Sequence, residues 1–138
     1  MKQILHYIKE IRSVEAAGLD GMVITTYGEV SLPPALQSTK IDISGLGECS
    51  EETSVENKAV IHNVKLTARI LSANNLRSGG RYAYILICVD GSRWLLGADT
   101  HPYPKTLVSS VMPGAPTESS ADTLTVEYKS TFGLLKVL

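Results

Sequence analysis

A chain of 138 residues with 43% hydrophobic and 20% charged side chains can enclose one hydrophobic core, and this composition excludes an intrinsically disordered protein. Thirteen Lys and Arg against 14 Asp and Glu leave a formal charge of -1 with the basic residues spread along the chain, so no electrostatic footprint for nucleic acid is visible. Residues 1–9 carry charges inside their apolar stretch and no small-residue cleavage site, and the longest apolar run, residues 82–89, is far shorter than the roughly 20 residues of a membrane-spanning helix, so a cytoplasmic protein without a membrane partner is expected.

In chain order, residues 2–15 are ambiguous, because Ile4, Ile8 and Ile11 fit one helical face while their β-branched side chains also suit a strand, which is the reading preferred. Gly18-Leu19-Asp20-Gly21 predicts a turn, and residues 22–30, rich in Val, Ile, Thr and Tyr, predict a strand that Pro33-Pro34 ends. Residues 39–44 alternate polar and apolar side chains as a short half-buried strand does, until Gly45-Leu46-Gly47 breaks the pattern. Residues 49–57 are polar, and Glu48, Glu51, Glu52 and Glu56 read as a solvated edge or loop. The clearest strand covers residues 59–71, with Val64, Leu66, Ala68 and Ile70 on one face and Lys65, Thr67 and Arg69 on the other.

Residues 72–76 predict a loop or helical turn, and Ser78-Gly79-Gly80 a break. Residues 82–89 and 92–97 form two strand-like runs around Asp90-Gly91, the signature of a type I′ hairpin turn. The first run is apolar throughout, as in a strand covered on both faces by its own fold or by a neighbouring subunit. Residues 98–122 hold Pro102, Pro104, Pro113 and Pro116 among Ser and Thr, which predicts a long loop with one short strand near 106–111, and alternation from Thr123 to Lys129 predicts a last strand ending near Phe132. The expected fold is therefore a single mainly β domain over residues 1–138, an antiparallel β-sandwich or small barrel with at most one short helix.

No P-loop, GxGxxG or GxSxG occurs, so neither a nucleotide nor another cofactor is expected. His6, His62 and His101 lie far apart without the spacing of a zinc site, and Cys49 and Cys88 make neither a disulfide framework nor a metal set. Cys88 reads as a buried thiol acting as a small hydrophobe, and no motif surrounds a pairing of Cys49 with His62 or His101. Tyr82, Tyr84, Leu86, Trp94 and Tyr103 are the candidates for an interface, because large aromatic and apolar side chains anchor either cores or contacts.

Three passages carry a resemblance. They are Cys-Ser-Glu-Glu-Thr-Ser at 49–54 leading into the alternating strand 63–71, the hairpin Ile-Leu-Ile-Cys-Val-Asp-Gly-Ser-Arg-Trp-Leu-Leu-Gly at 85–97 continued by Ala-Asp-Thr-His-Pro, and the closing Leu-Thr-Val-Glu-Tyr-Lys-Ser-Thr-Phe at 124–132. Together they resemble small tail-associated structural proteins of Bacteroidetes prophages over roughly the last two-thirds of the chain. The resemblance implies a β-sandwich or barrel subunit of a tail tube, terminator or neck that assembles with its own copies and with other tail or head–tail proteins. It carries no catalytic residues over, and it implies a protein made in the bacterial cytoplasm and carried into the virion. A β domain that binds a small ligand or glycan through Trp94, Tyr103 and the proline-rich loop is the alternative. An enzyme built on Asp99, His101 and Cys49 would require those side chains to meet in a cleft.

Overall fold

The computed structural model describes residues 2–19, 22–24, 29–33, 36–70, 81–97, 103–110, 122–130 and 133–137. Within them lie eleven strands: β1 (Lys2–Glu15), β2 (Val23–Ile24), β3 (Glu29–Ser31), β4 (Thr39–Ile41), β5 (Gly47–Glu56), β6 (Ala59–Ile70), β7 (Tyr82–Cys88), β8 (Arg93–Leu96), β9 (Lys105–Ser110), β10 (Asp122–Ser130) and β11 (Leu135–Val137). A single 3-10 turn, Ala16–Leu19, follows β1. The strands form one sheet in the order β2-β3-β11-β8-β7-β1-β5-β6-β10-β9, with β4 lying beside β1. The protein is thus mainly β, with an open, sandwich-like sheet.

The long strand β1 joins the two halves of this sheet. Residues 2–8 pair with β5 and residues 8–15 with β7, both antiparallel, while residues 11–13 pair with β4. Between Ile8 and Glu10 the register against β7 slips by one residue, so that Ile8 opposes Cys88 and Glu10 opposes Ile87. The extra residue of this bulge turns Ile8 and Ile11 onto the same face, both fully buried, although they are three positions apart. The spacing that imitates a helix in the sequence is therefore that of a bulged strand.

Alternation along β7 divides its side chains between two cores. Tyr84, Leu86 and Cys88 join Ile8, Ile11, Cys49, Leu66, Val126 and Leu124 in the larger cluster. Ala83 and Ile85 face the other way, onto Val14, Leu19, Val30, Leu95 and Leu135. The unbroken apolar run thus reflects cover on both faces by the chain's own fold. The sheet also curls over itself. Tyr84 Oη lies 2.6 Å from Thr106 Oγ1 on β9, five strands away in the order, where a flat sheet would separate them by roughly 24 Å.

Several expectations need correction. Residues 22–30 are not one strand: β2 and β3 pair antiparallel with each other, Val23 opposite Ser31 and Ile24 opposite Val30. The acidic stretch is an interior strand, β5, paired with β1 on one side and β6 on the other. Its glutamates hide this because Glu48, Glu52 and Glu56 project from the solvated face while Gly47 and Cys49 are buried. Asp90-Gly91 does not form a type I′ turn. Gly91 N donates to Cys88 O at 2.9 Å, Cys88 N donates to Ser92 O at 2.9 Å, and only the glycine has positive φ, at 90°. That is a three-residue loop closed by a glycine bulge. The turn with both central residues left-handed sits at Asn57 (φ 49°) and Lys58 (φ 65°), between β5 and β6.

Strand β11 was not anticipated. It pairs antiparallel with β8 and parallel with β3, an exception to the antiparallel expectation. The predictions for residues 72–76, 78–80, 98–102 and 131–132 lie outside the described residues, and within the long proline-rich stretch β9 supplies the one strand expected there.

Candidate functional site

On the outer face of the β5-β6-β10-β9 half, in-register pairing aligns side chains into rows across four strands. Ser50 opposes Lys65, Lys65 opposes Glu127, and Glu127 opposes Lys105. The next row runs Glu52, Asn63, Lys129. Tyr103 precedes β9, and with these rows it lines a depression of about 450 Å³. The guanidinium of Arg81 lies over the Tyr103 ring, 5.4 Å from its centroid, a cation–π contact. Lys129 is held at 3.0 Å from Glu56. Among the described residues, neither Lys65 nor Lys105 has a carboxylate within 4.0 Å.

On the inner face beyond the core, Glu51 performs a structural task. Its Oε1 accepts a hydrogen bond from Leu134 N at 3.2 Å and lies 3.3 Å from His62 Nδ1. Ser130 Oγ accepts from Gly133 N at 2.8 Å, so the turn between β10 and β11 is fixed at two consecutive amides. Gly133, at φ 61°, has no room for a methyl group, since an added Cβ would meet the Glu51 carboxylate and come within 2.9 Å of His62 Cβ. The Glu51–His62 pair thus clasps the chain that leads into β11.

No family model, curated protein or solved structure matches this chain.

The interface candidates separate by burial. Tyr84 and Leu86 are fully enclosed in the chain's own core and offer no surface to a partner, a correction to their proposed role. Tyr82, Trp94 and Tyr103 are half-buried. Trp94 Nε1 donates to Ser92 Oγ at 3.0 Å and Ser92 Oγ donates to Asp90 Oδ1 at 2.7 Å, while the indole stacks at a tilt on His6 with ring centres 5.2 Å apart. The hydroxyl and amide of Ser92 hold the Asp90 carboxyl below its usual range. Trp94 is not among the residues lining the Tyr103 depression, so the two aromatics do not form one platform.

Cys49 is fully buried, and burial, reinforced by the nearby Glu51 and by Cys88, pushes its thiol up to about 12. A thiol so protonated is a poor nucleophile at neutral pH. Asp99 and His101 lie outside the described residues. Among the described residues, no three His, Cys, Asp or Glu side chains converge as a metal site would require, and no helix is long and apolar enough to cross a membrane.

Sequence reasoning missed a further feature, the overhang of the β5–β6 hairpin. Pairing with β1 stops at Thr53 and pairing with β10 stops at His62, so among the described residues no strand flanks the last three hairpin pairs, Ser54–Ile61, Val55–Val60 and Glu56–Ala59. Val55 and Val60 continue the core-facing side of their strands, yet they are 71% and 49% exposed. Two β-branched residues flanking Asn-Lys were the available signal; the type I′ turn was disguised by a lysine where glycine is usual.

Proposed function

We propose that this chain is a non-enzymatic structural protein that works by self-association, as a tail or neck component of a phage or prophage particle. The overhanging hairpin carries the reading. The face that is core farther down the hairpin, at Val64 (2% exposed), Leu66 and Cys49, continues outward through Val60 and Val55, which are 49% and 71% exposed. Scattered exposed valines are ordinary, but here the pair is cross-strand, continuous with a core face, and borne on a segment whose two backbone edges have no strand beside them among the described residues. A neighbouring copy can cover such a hairpin and add main-chain hydrogen bonds at its edges. The resemblance of residues 49–132 to prophage tail proteins supports the same role, with synthesis in the bacterial cytoplasm, incorporation into the virion, and other tail or head–tail proteins as further partners.

Light scattering coupled to size-exclusion chromatography over a concentration series tests this. Self-association that rises with concentration and is lost in the Val55→Ser/Val60→Ser variant, at unchanged melting temperature, is expected. A strict monomer at all concentrations, or assembly indifferent to the double substitution, would overturn it.

A further inference from the structure

We infer that the depression on the outer face of β5-β6-β10-β9 is a binding site for an oligosaccharide bearing carboxylates on alternate sugars. Its volume of about 450 Å³ falls in the usual range of ligand sites, roughly 300–1,000 Å³. The chemistry follows from the register. Lys65 and Lys105 flank Glu127 directly, one strand to either side, which places the two backbone positions about 9.5 Å apart. Both ammonium groups are exposed and, among the described residues, engaged in no ion pair. Each is therefore available to an anionic group on a ligand, and the two are set well apart.

Between them stands an acceptor, and the further lysine of the lining, Lys129, is held by Glu56. The Glu127 carboxylate lies in the same row, and Glu52 and Asn63 lie in the next. A carboxylate between two ammoniums disfavours a polymer that is charged on every unit, as a nucleic-acid strand is on every nucleotide. A sugar chain charged only on alternate residues avoids this, because it presents neutral hydroxyls to Glu127, Glu52 and Asn63, which accept and, for Asn63, also donate hydrogen bonds. Tyr103, with the Arg81 guanidinium over its ring, adds an aromatic side chain to the lining. This site lies on the outer face, away from the Val55–Val60 pair on the core-facing side, so it is independent of the assembly reading.

Isothermal titration calorimetry of the full chain tests the inference, using as probes a tetrasaccharide of alternating glucuronate and N-acetylglucosamine, neutral chitotetraose, poly-L-glutamate and a decathymidylate. Saturable binding of the acidic tetrasaccharide is expected, at least tenfold tighter than the neutral one. The Lys65→Gln/Lys105→Gln variant, altered only at exposed positions, is expected to lose that affinity tenfold or more with no change in melting temperature. Absence of saturable binding, equal affinity of the double variant, or tighter binding of poly-L-glutamate or decathymidylate would overturn it, the last two outcomes marking an acidic-peptide or general polyanion surface instead.

Discussion

Tyr84 brings a hydroxyl into a fully buried position, and Thr106, itself 4% exposed, meets it there. The cost of a buried hydroxyl is offset only while both partners are present. Tyr84→Phe should therefore destabilise the protein by about 1–2 kcal/mol, because it strands the Thr106 hydroxyl, whereas adding Thr106→Val to it should recover part of that loss. A double-mutant cycle by urea denaturation reads the coupling directly. Gly133 is a second position where one atom matters. Gly133→Ala forces a left-handed alanine against Glu51 and His62, and a loss of about 2–3 kcal/mol is expected; if the alanine variant melts with the parent, the clasp is not as tight as its geometry.

At the scale of elements, the two hairpins reverse what their turns advertise. Asp90-Gly91 has the residues of a type I′ turn but takes a three-residue loop, while Asn57-Lys58 adopts the left-handed pair with a lysine in it. A non-glycine residue at positive φ is strained by roughly 1–2 kcal/mol, less the entropy a glycine would lose on folding. Lys58→Gly should thus raise stability by about 0.5–1 kcal/mol, seen as a higher urea midpoint at unchanged slope. The strands themselves were legible where one face is core and the other is solvent: β6 and β10 alternate cleanly, and β7 declares cover on both faces. β5 was not, because its buried positions are Gly47 and Cys49 rather than large aliphatics. Nor was β11, whose three residues are too few to set a period. The depression was half legible, since Tyr103 stood out while the alignment of Lys65, Glu127 and Lys105 exists only through register between distant strands.

For the whole molecule, the ionisable groups in the larger core predict how stability responds to alkali. Burial pushes the Cys49 thiol from 9.0 up to about 12, and burial raises the Tyr84 phenol above 10.0 despite the opposing hydrogen bond to Thr106. From about pH 9 upward the unfolded chain releases protons that the folded chain keeps, so stability falls with rising pH, at about 1.4 kcal/mol per pH unit for each such group. Below pH 9 this source of dependence is absent. Urea midpoints measured at pH 8 and pH 10.5 should differ accordingly, and Cys49→Ala should remove its own share of the fall that begins near pH 9, leaving that of the Cys88 thiol, which burial also raises.

The short β11 is the strip through which β3, and with it β2, joins β8 and the rest of the sheet. Its neighbours on either side are made some forty and one hundred residues earlier on the ribosome. A nascent chain that has not yet exposed residues 135–137 holds the β2–β3 hairpin with no strand between it and β8, and the smaller core, which needs Leu135, stays incomplete. Synthesis of residues 135–137 therefore decides when this half of the molecule can close.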